Sequence, residues 1–321
     1  MRIYDGLDNF PTIRYPVVTI GTFDGVHIGH QKILSRLIEL AKKHAGETVL
    51  LTFWPHPRFI LSNGNSDLKL LSTFEEKASY LKKLGIDHLV KIQFTKSFSE
   101  NSSKDFIQKF LVEKIGTKKL VIGYDHKFGK NREGSFDHLK ANEGAYGFGV
   151  EEIPRQDIDD VGVSSTKIRK ALEDGEIDTA NEYLGRFYSL AGRVIQGHQL
   201  GRSLGFPTAN LELVDNYKLV PGDGVYAVEV MHKAHLYHGM LNIGYRPTVD
   251  GVSKVIEVHV FNFNENIYNQ EIRLFFVKKI RQEKKFNTLE ELKSQLYIDK
   301  ETAEKILTPN LDKPPKSFGA G

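Results

Sequence analysis

The sequence predicts an α/β domain built on a parallel sheet with helices, followed by a mainly β domain, a small antiparallel barrel with a terminal helix. Three observations predict this. In the first half, short apolar runs alternate with helical patterns, the signature of a parallel sheet covered on both faces. After about Phe187 the apolar runs are separated by glycine- or Asn-rich turns instead, as in antiparallel strands. The chain also has 321 residues, long for one domain and natural for two. The expected boundaries are 1–186 and 187–308. Residues 309–321, with Pro309, Pro314 and Pro315 and little apolar content, read as a disordered tail.

Taken in order, the first-half strands are Val17–Thr22, Val49–Phe53, Leu89–Phe94, Leu120–Gly123 and Gly149–Ile153. Ile33, Leu34, Leu37, Ile38 and Ala41 recur at helical spacing after the first of them. Thr73-Phe74-Glu75-Glu76 reads as a capping box whose helix stops at Gly85. Ser103 to Ile115 is a further helical pattern closed by Gly116. In the second half, Val225–Met231, Leu236–Ile243, Val255–Phe263 and Ile272–Ile280 read as an antiparallel meander. A second capping box, Thr288-Leu289-Glu290-Glu291, opens a helix that runs to about Leu307.

Composition narrows the function classes. The absence of cysteine excludes disulfides, thiolate chemistry and zinc fingers. With 44 basic against 41 acidic residues, the net charge of +3 gives no support for nucleic-acid binding. There is no run long enough for a membrane span and no signal-peptide pattern at the start, which points to the cytoplasm.

Gly21-Thr22-Phe23-Asp24-Gly25-Val26-His27-Ile28-Gly29-His30 is the most informative segment. It lies where a buried strand turns into a helix. Free first-turn N–H groups and the helix dipole favour an anion there. His27 and His30, three apart, share a face and can donate to one phosphate, although packing or capping would place them equally well. Ser164-Ser165-Thr166-Lys167-Ile168-Arg169 offers three hydroxyls and two cations at another helix start. By itself it is also compatible with an N-cap and a solvated basic face.

The second informative stretch is Gly197 to Asn210, with Gly197, Gly201 and Gly205 spaced by four. It is not a Walker loop. On a strand, Thr208 and Asn210 point to one side, and a hydroxyl and an amide oxygen suit Mg²⁺. A barrel loop followed by an edge strand is the alternative.

Gly-x-Phe-Asp-Gly-x-His-x-Gly-His followed by Ser-Ser-Thr-x-Ile-Arg resembles the adenylyltransferase half of bacterial bifunctional riboflavin kinase/FAD synthetases, a Rossmann-like nucleotidyltransferase. Phe53-Trp54-Pro55-His56-Pro57, and Gly123-Tyr124-Asp125-His126-Lys127-Phe128-Gly129 with Arg132 and Gly134, agree in order. Gly-x-x-x-Gly-Arg-x-Leu-Gly-Phe-Pro-Thr-Ala-Asn resembles the riboflavin kinase signature. Asn242-Ile243-Gly244, Pro247-Thr248 and Ile256-Glu257-Val258-His259 follow it. The resemblance covers about residues 15–308. Asp125 stands where many relatives carry Asn, and Tyr245, Arg246 and Val249 depart from the usual pattern.

The resemblance implies phosphorylation of riboflavin by ATP to FMN, then adenylylation of FMN by ATP to FAD and pyrophosphate, both with Mg²⁺. It implies that His27, His30 and Arg169 act in adenylyl transfer. Gly21, Phe23, Asp24, Gly29, Ser164, Ser165 and Thr166 would bind ATP or its phosphates, Asp24 either near the nucleotide or by ordering the turn. Pro57, Asp125, Phe128 and Arg132 would enclose the flavin. In the kinase half it implies Glu257 as general base, Gly201 and Arg202 on ATP, Asn242 on flavin, and Thr208 and Asn210 on the metal. ATP, riboflavin and FMN are then the partners. Rival readings are an enzyme with one live half, a flavin-responsive binding module, and an adenylyltransferase with another acceptor. Intact Thr208, Asn210 and Glu257, and a kinase-like second half, argue against them.

Overall fold

The computed structural model describes residues 1–62, 67–124, 128–130, 133–153, 162–197, 200–248 and 251–308. Asp125, Arg132 and the expected tail lie outside them. The chain divides into two compact units, Met1–Ser165 and the residues from Thr166 on.

The first unit is a parallel six-stranded sheet. Its strands are β1 (Arg2–Asp5), β2 (Pro16–Ile20), β3 (Glu47–Trp54), β4 (His88–Gln93), β5 (Lys119–Gly123) and β6 (Gly149–Ile153), in the order β1-β4-β3-β2-β5-β6. All five residues of β2 are buried, which is why this strand reads as a continuous apolar run. Val18 and Ile20 face one core with Phe106, Ile107 and Leu111. Val17 faces the other, with Leu34 and Leu37 of the helix Ile28–Lys43 and Leu81 of the helix Phe74–Leu84. The Thr73–Glu76 capping box forms in full, and Gly85 ends that helix at φ +93°, a conformation glycine adopts without a Cβ clash. The pattern from Ser103 to Ile115 is helical, but Ile107–Ile115 is wound as a π-helix. Side-chain spacing does not reveal that change of hydrogen-bond register. The sequence reading passed over β1, a short edge strand with mostly exposed side chains.

The second unit contains a closed antiparallel barrel of β7 (Tyr188–Ile195), β8 (Ala209–Leu213), β9 (Gly224–His232), β10 (His235–Thr248), β11 (Gly251–Val260) and β12 (Glu271–Arg281). Their order is β10-β11-β8-β7-β12-β9. Only β9, β10 and β11 run as a meander; β12 pairs with β9 and β7. The expected barrel is thus present, and it closes through β7 and β8, two strands outside the expected meander. Gly192 hides β7 in the sequence. It is needed there because a Cβ would stand 2.7 Å from the Glu212 carbonyl oxygen on β8.

The helix Leu289–Leu307 packs on the barrel through Ala303 and Leu307, against Phe206, Ala227 and Met240. Its start differs from the expected box. Thr288 Oγ1 accepts from the Glu291 N–H at 3.1 Å, but Glu291 Oε2 accepts from Asn287 rather than from Thr288. A forked ion pair ties the helix down. Arg281 Nε donates to Asp299 Oδ1 at 2.9 Å and its terminal nitrogen to Oδ2 at 2.6 Å, and Gln295 adds a bond to Oδ1. Asp299 is 1% exposed. Arg281→Met strands this carboxylate and is expected to cost about 3 kcal/mol, read as a lower urea midpoint at unchanged slope.

Candidate functional site

Gly21 leaves β2 with its N–H on the Leu51 carbonyl at 3.0 Å. The chain then turns through three left-handed residues, Phe23 (φ +46°), Gly25 (φ +80°) and Val26 (φ +39°). For a β-branched residue such as Val26 this is a costly conformation, stable only when its surroundings hold it. The surroundings do so. Asp24, 2% exposed, accepts from the Leu71 N–H at 3.0 Å and the Ser72 N–H at 3.2 Å. Ser72 Oγ accepts from the Gly25 N–H at 3.1 Å. Ser165 Oγ donates to the Asp24 carbonyl at 3.1 Å. Of the two roles expected for Asp24, these bonds support the ordering of the turn.

His27 is the N-cap of the helix Ile28–Lys43: its Nδ1 accepts from the His30 N–H at 3.3 Å. A ring nitrogen that accepts carries no proton, so neutral His27 holds its hydrogen on Nε2. The His30 ring stacks on it, centroids 3.6 Å apart, and touches Phe23 at 5.0 Å. His27 thus caps and also keeps a donor. Gly29 is buried in the first helical turn.

Gly21, Phe23 and His30 line a cleft of about 660 Å³ together with Pro57 and Phe128, a volume in the range of small-molecule sites. The cleft lies at the carboxyl ends of β2 and β5, where the strand order reverses, the place where ligands bind in open α/β sheets. Its apolar wall is Phe53, Phe94, Phe98 and Phe106. Of these, the sequence reading quoted only Phe53, in the segment Phe53–Pro57; for the others, the phenylalanines recurring from 94 to 106 are the one hint. Arg58 and Lys130 also line it. Ser164 and Ser165 are half-buried. Thr166, exposed, and Arg169, half-buried, stand on the helix Ser165–Glu173.

In the barrel, β11 pairs with β10 so that Glu257 stands opposite Asn242, and with β8 so that it stands opposite Asn210. Directly opposed residues in antiparallel pairs share a face, so the three form one row across three strands. Glu257, Asn242, Thr208 and Gly201 line a cavity with Phe206 and Met240. A Cβ on Gly201 would collide with the Phe206 carbonyl oxygen, and one on Gly197 with the Asn210 amide. Gly201 is therefore required by the backbone, whereas a side chain at Gly197 would displace the Asn210 amide. Arg202 is exposed. Several lining residues had no role assigned from sequence, His259 among them. His259 shares a strand face with Glu257 two residues away, and its Nδ1 donates to the Pro207 carbonyl at 2.7 Å, beside Thr208. Burial pushes the His259 imidazole below its ordinary range. Among the described residues, no group of three His, Cys, Asp or Glu is placed to hold a metal ion.

Two family models match, one described as FAD synthetase over residues 11–167 and one as riboflavin kinase over 184–307. A bifunctional riboflavin kinase/FMN adenylyltransferase of Buchnera aphidicola subsp. Schizaphis graminum is 41% identical over 95% of this chain and 98% of its own. The chain belongs to the bifunctional riboflavin kinase/FMN adenylyltransferase family. Proteins of the same description from Haemophilus influenzae and Escherichia coli (strain K12) are 39% and 36% identical, each over 95% of this chain and 98% of its own. The chain therefore makes FMN from riboflavin and ATP, then FAD from FMN and ATP. A solved structure described as a macrolide-efflux protein from Streptococcus pneumoniae shares the architecture at TM-score 0.84 and 29% identity, over 94% of this chain and 98% of that one. Among the described residues of the present enzyme, no helix is long and apolar enough to cross a membrane.

Proposed function

We propose that residues 1–186 carry FMN adenylylation and residues 187–308 riboflavin phosphorylation, each at its own site. The carrying observation is that each unit has a cavity lined by its own motif residues: Gly21, Phe23 and His30 in one, Gly201, Thr208, Asn242 and Glu257 in the other.

In adenylyl transfer the FMN phosphate is already a nucleophile at neutral pH, so what the protein supplies is alignment and charge neutralisation. His27 Nε2–H and the His30 ring donate to the α-phosphate, at the positive end of the helix dipole. Ser164, Ser165, Thr166 and Arg169 hold the triphosphate, and Gly21, Phe23 and Gly29 let it approach. The flavin lies along Phe128 and Pro57, with Asp125 and Arg132 completing its enclosure.

In phosphorylation Glu257 takes the proton of the riboflavin 5′-hydroxyl as the γ-phosphate is transferred. Asn242 holds the flavin, and Gly201 and Arg202 bracket the ATP. Thr208 and Asn210 fit Mg²⁺, which binds through one or two protein oxygens plus substrate phosphates. The metal would screen phosphate charge. ATP as donor in both steps fits a cytoplasmic setting.

The test is chromatography of the protein incubated with riboflavin, ATP and Mg²⁺. FMN followed by FAD is expected, and EDTA is expected to stop both steps. FAD from added FMN with no turnover of riboflavin would overturn the role of Glu257. FMN alone would overturn the adenylyltransferase site.

A further inference from the structure

Beneath the Phe23–Val26 turn lies a buried cation that the mechanism above does not use. Lys77, on the helix Phe74–Leu84, is 2% exposed. Its Nζ donates to the Thr22 carbonyl at 2.7 Å and to Thr52 Oγ1 at 3.3 Å, and stands 5.4 Å from the centre of the Trp54 ring. A buried ammonium costs several kcal/mol to desolvate. An apolar side chain would fill the space at lower cost, so packing does not account for a lysine here.

We propose that Lys77 is a positioning residue for FMN adenylylation, fixing the Thr22 carbonyl so that the turn presents His27 and His30 to the reacting phosphates in line. This rests on the reading of that turn as the α-phosphate site. Two clamps on the turn come from one short segment, beside the bonds of Ser165 to the Asp24 carbonyl and of Thr52 Oγ1 to the Thr22 carbonyl. Leu71 and Ser72 grip Asp24, and Lys77 grips Thr22. Between them stands Phe23, the first left-handed residue, whose ring rests on His30. The capping box at Thr73 and Glu76 stiffens the segment that joins the clamps. Without Lys77 the Thr22 carbonyl keeps only the longer, uncharged bond from Thr52 Oγ1 at 3.3 Å, and the strained turn relaxes.

The charged group acting on Lys77 is Asp24, from the turn; β3 presents the Thr52 hydroxyl and the Trp54 ring. Burial pushes the ammonium down to about 8, against the pull of Asp24. This separates catalysis from stability. Above about 8 the folded protein has lost a proton that the unfolded chain keeps up to its ordinary value of 10.5. Folding stability from this group therefore rises with pH across that window. Adenylylation falls across the same window, because a neutral amine holds the carbonyl more weakly than an ammonium.

The experiment measures kcat and the KM for ATP of FAD formation from FMN, over a pH range of about 6.5 to 9.5. It uses wild type, Lys77→Met, Lys77→Arg and His30→Ala, with riboflavin phosphorylation followed in the same samples. Lys77→Met is expected to lower kcat by about 100-fold with the KM for ATP changed less than about threefold, since small misplacements act on the transition state. Its riboflavin phosphorylation stays at the wild-type rate. Wild-type kcat shows an alkaline limb near the ammonium value of about 8, and Lys77→Arg, charged throughout, lacks it. A wild-type kcat in Lys77→Met, or a limb that persists in Lys77→Arg, overturns the proposal. Should circular dichroism show Lys77→Met unfolded, the wild-type profile decides, and a flat one up to the alkaline end overturns it. If His30→Ala makes FAD normally, the phosphate-site reading fails; if His30→Ala is impaired and Lys77→Met is not, only the assignment to Lys77 fails.

Discussion

Glu257→Ala is expected to lower FMN formation from riboflavin by about 10²–10⁴-fold, the range for loss of a general base, while the same sample still converts added FMN to FAD at the wild-type rate. The size follows from the placement of the carboxylate. Glu257 lies in the middle of β11, between Asn242 and Asn210 on the neighbouring strands, and lines the barrel cavity. A primary alcohol is a poor nucleophile until its proton is taken, and no other carboxylate stands in that row. Glu257→Gln keeps the volume and the strand pairing but cannot take the proton, so it should lose as much as the Ala variant. If Gln retains near-normal turnover, Glu257 shapes the cavity and the base lies elsewhere. If both variants lose FAD formation as well, the two-site reading fails.

His30→Ala is expected to lower FAD formation from FMN by about 10²–10³-fold, comparable with the loss of one donor to a developing phosphate charge, with FMN formation retained. The substitution is clean because the cap at this helix uses the backbone N–H of His30, accepted by His27 Nδ1. That bond survives when the imidazole is removed. His27→Ala is less clean, since it removes the cap together with the donor and should also cost about 1 kcal/mol of stability. Thermal melts therefore separate the pair: His30→Ala should melt near wild type, and His27→Ala lower. An equal fall of both activities in His30→Ala would make that ring structural.

Much of this architecture is legible from residue order alone, for reasons that particular residues make plain. β2 is buried on both faces, so its apolar run is unbroken and its exit into Gly21 is easy to find. The motif from Gly21 to His30 is contiguous, so its turn, its cap and its cleft-facing ring come as one segment. Glu257 stands out because a charge interrupts an apolar strand. What stayed hidden depends on contacts between distant segments. The phenylalanine wall of the cleft is assembled from β3, the residue after β4, and the short helices Lys96–Ser99 and Ser103–Phe106. Lys77 looks like one more surface lysine on its helix, although it shares the inward face with Phe74, Ala78 and Leu81. The second capping box closed only halfway because Glu291 found the N–H of Asn287 instead. β7 was masked by a glycine whose reason is a carbonyl on the next strand.

The grip of Leu71 and Ser72 on Asp24 spans 47 and 48 residues of chain. A ribosome that has released only the first sixty residues has already delivered both histidines of the opening motif. It has delivered the Thr52 bond to the Thr22 carbonyl and the Gln31 bond to the Val26 carbonyl, but not the grip on Asp24. The turn thus gains its hold on Asp24 with the arrival of a segment that contributes no motif residue, and a peptide cut to the motif alone would carry its letters without that support.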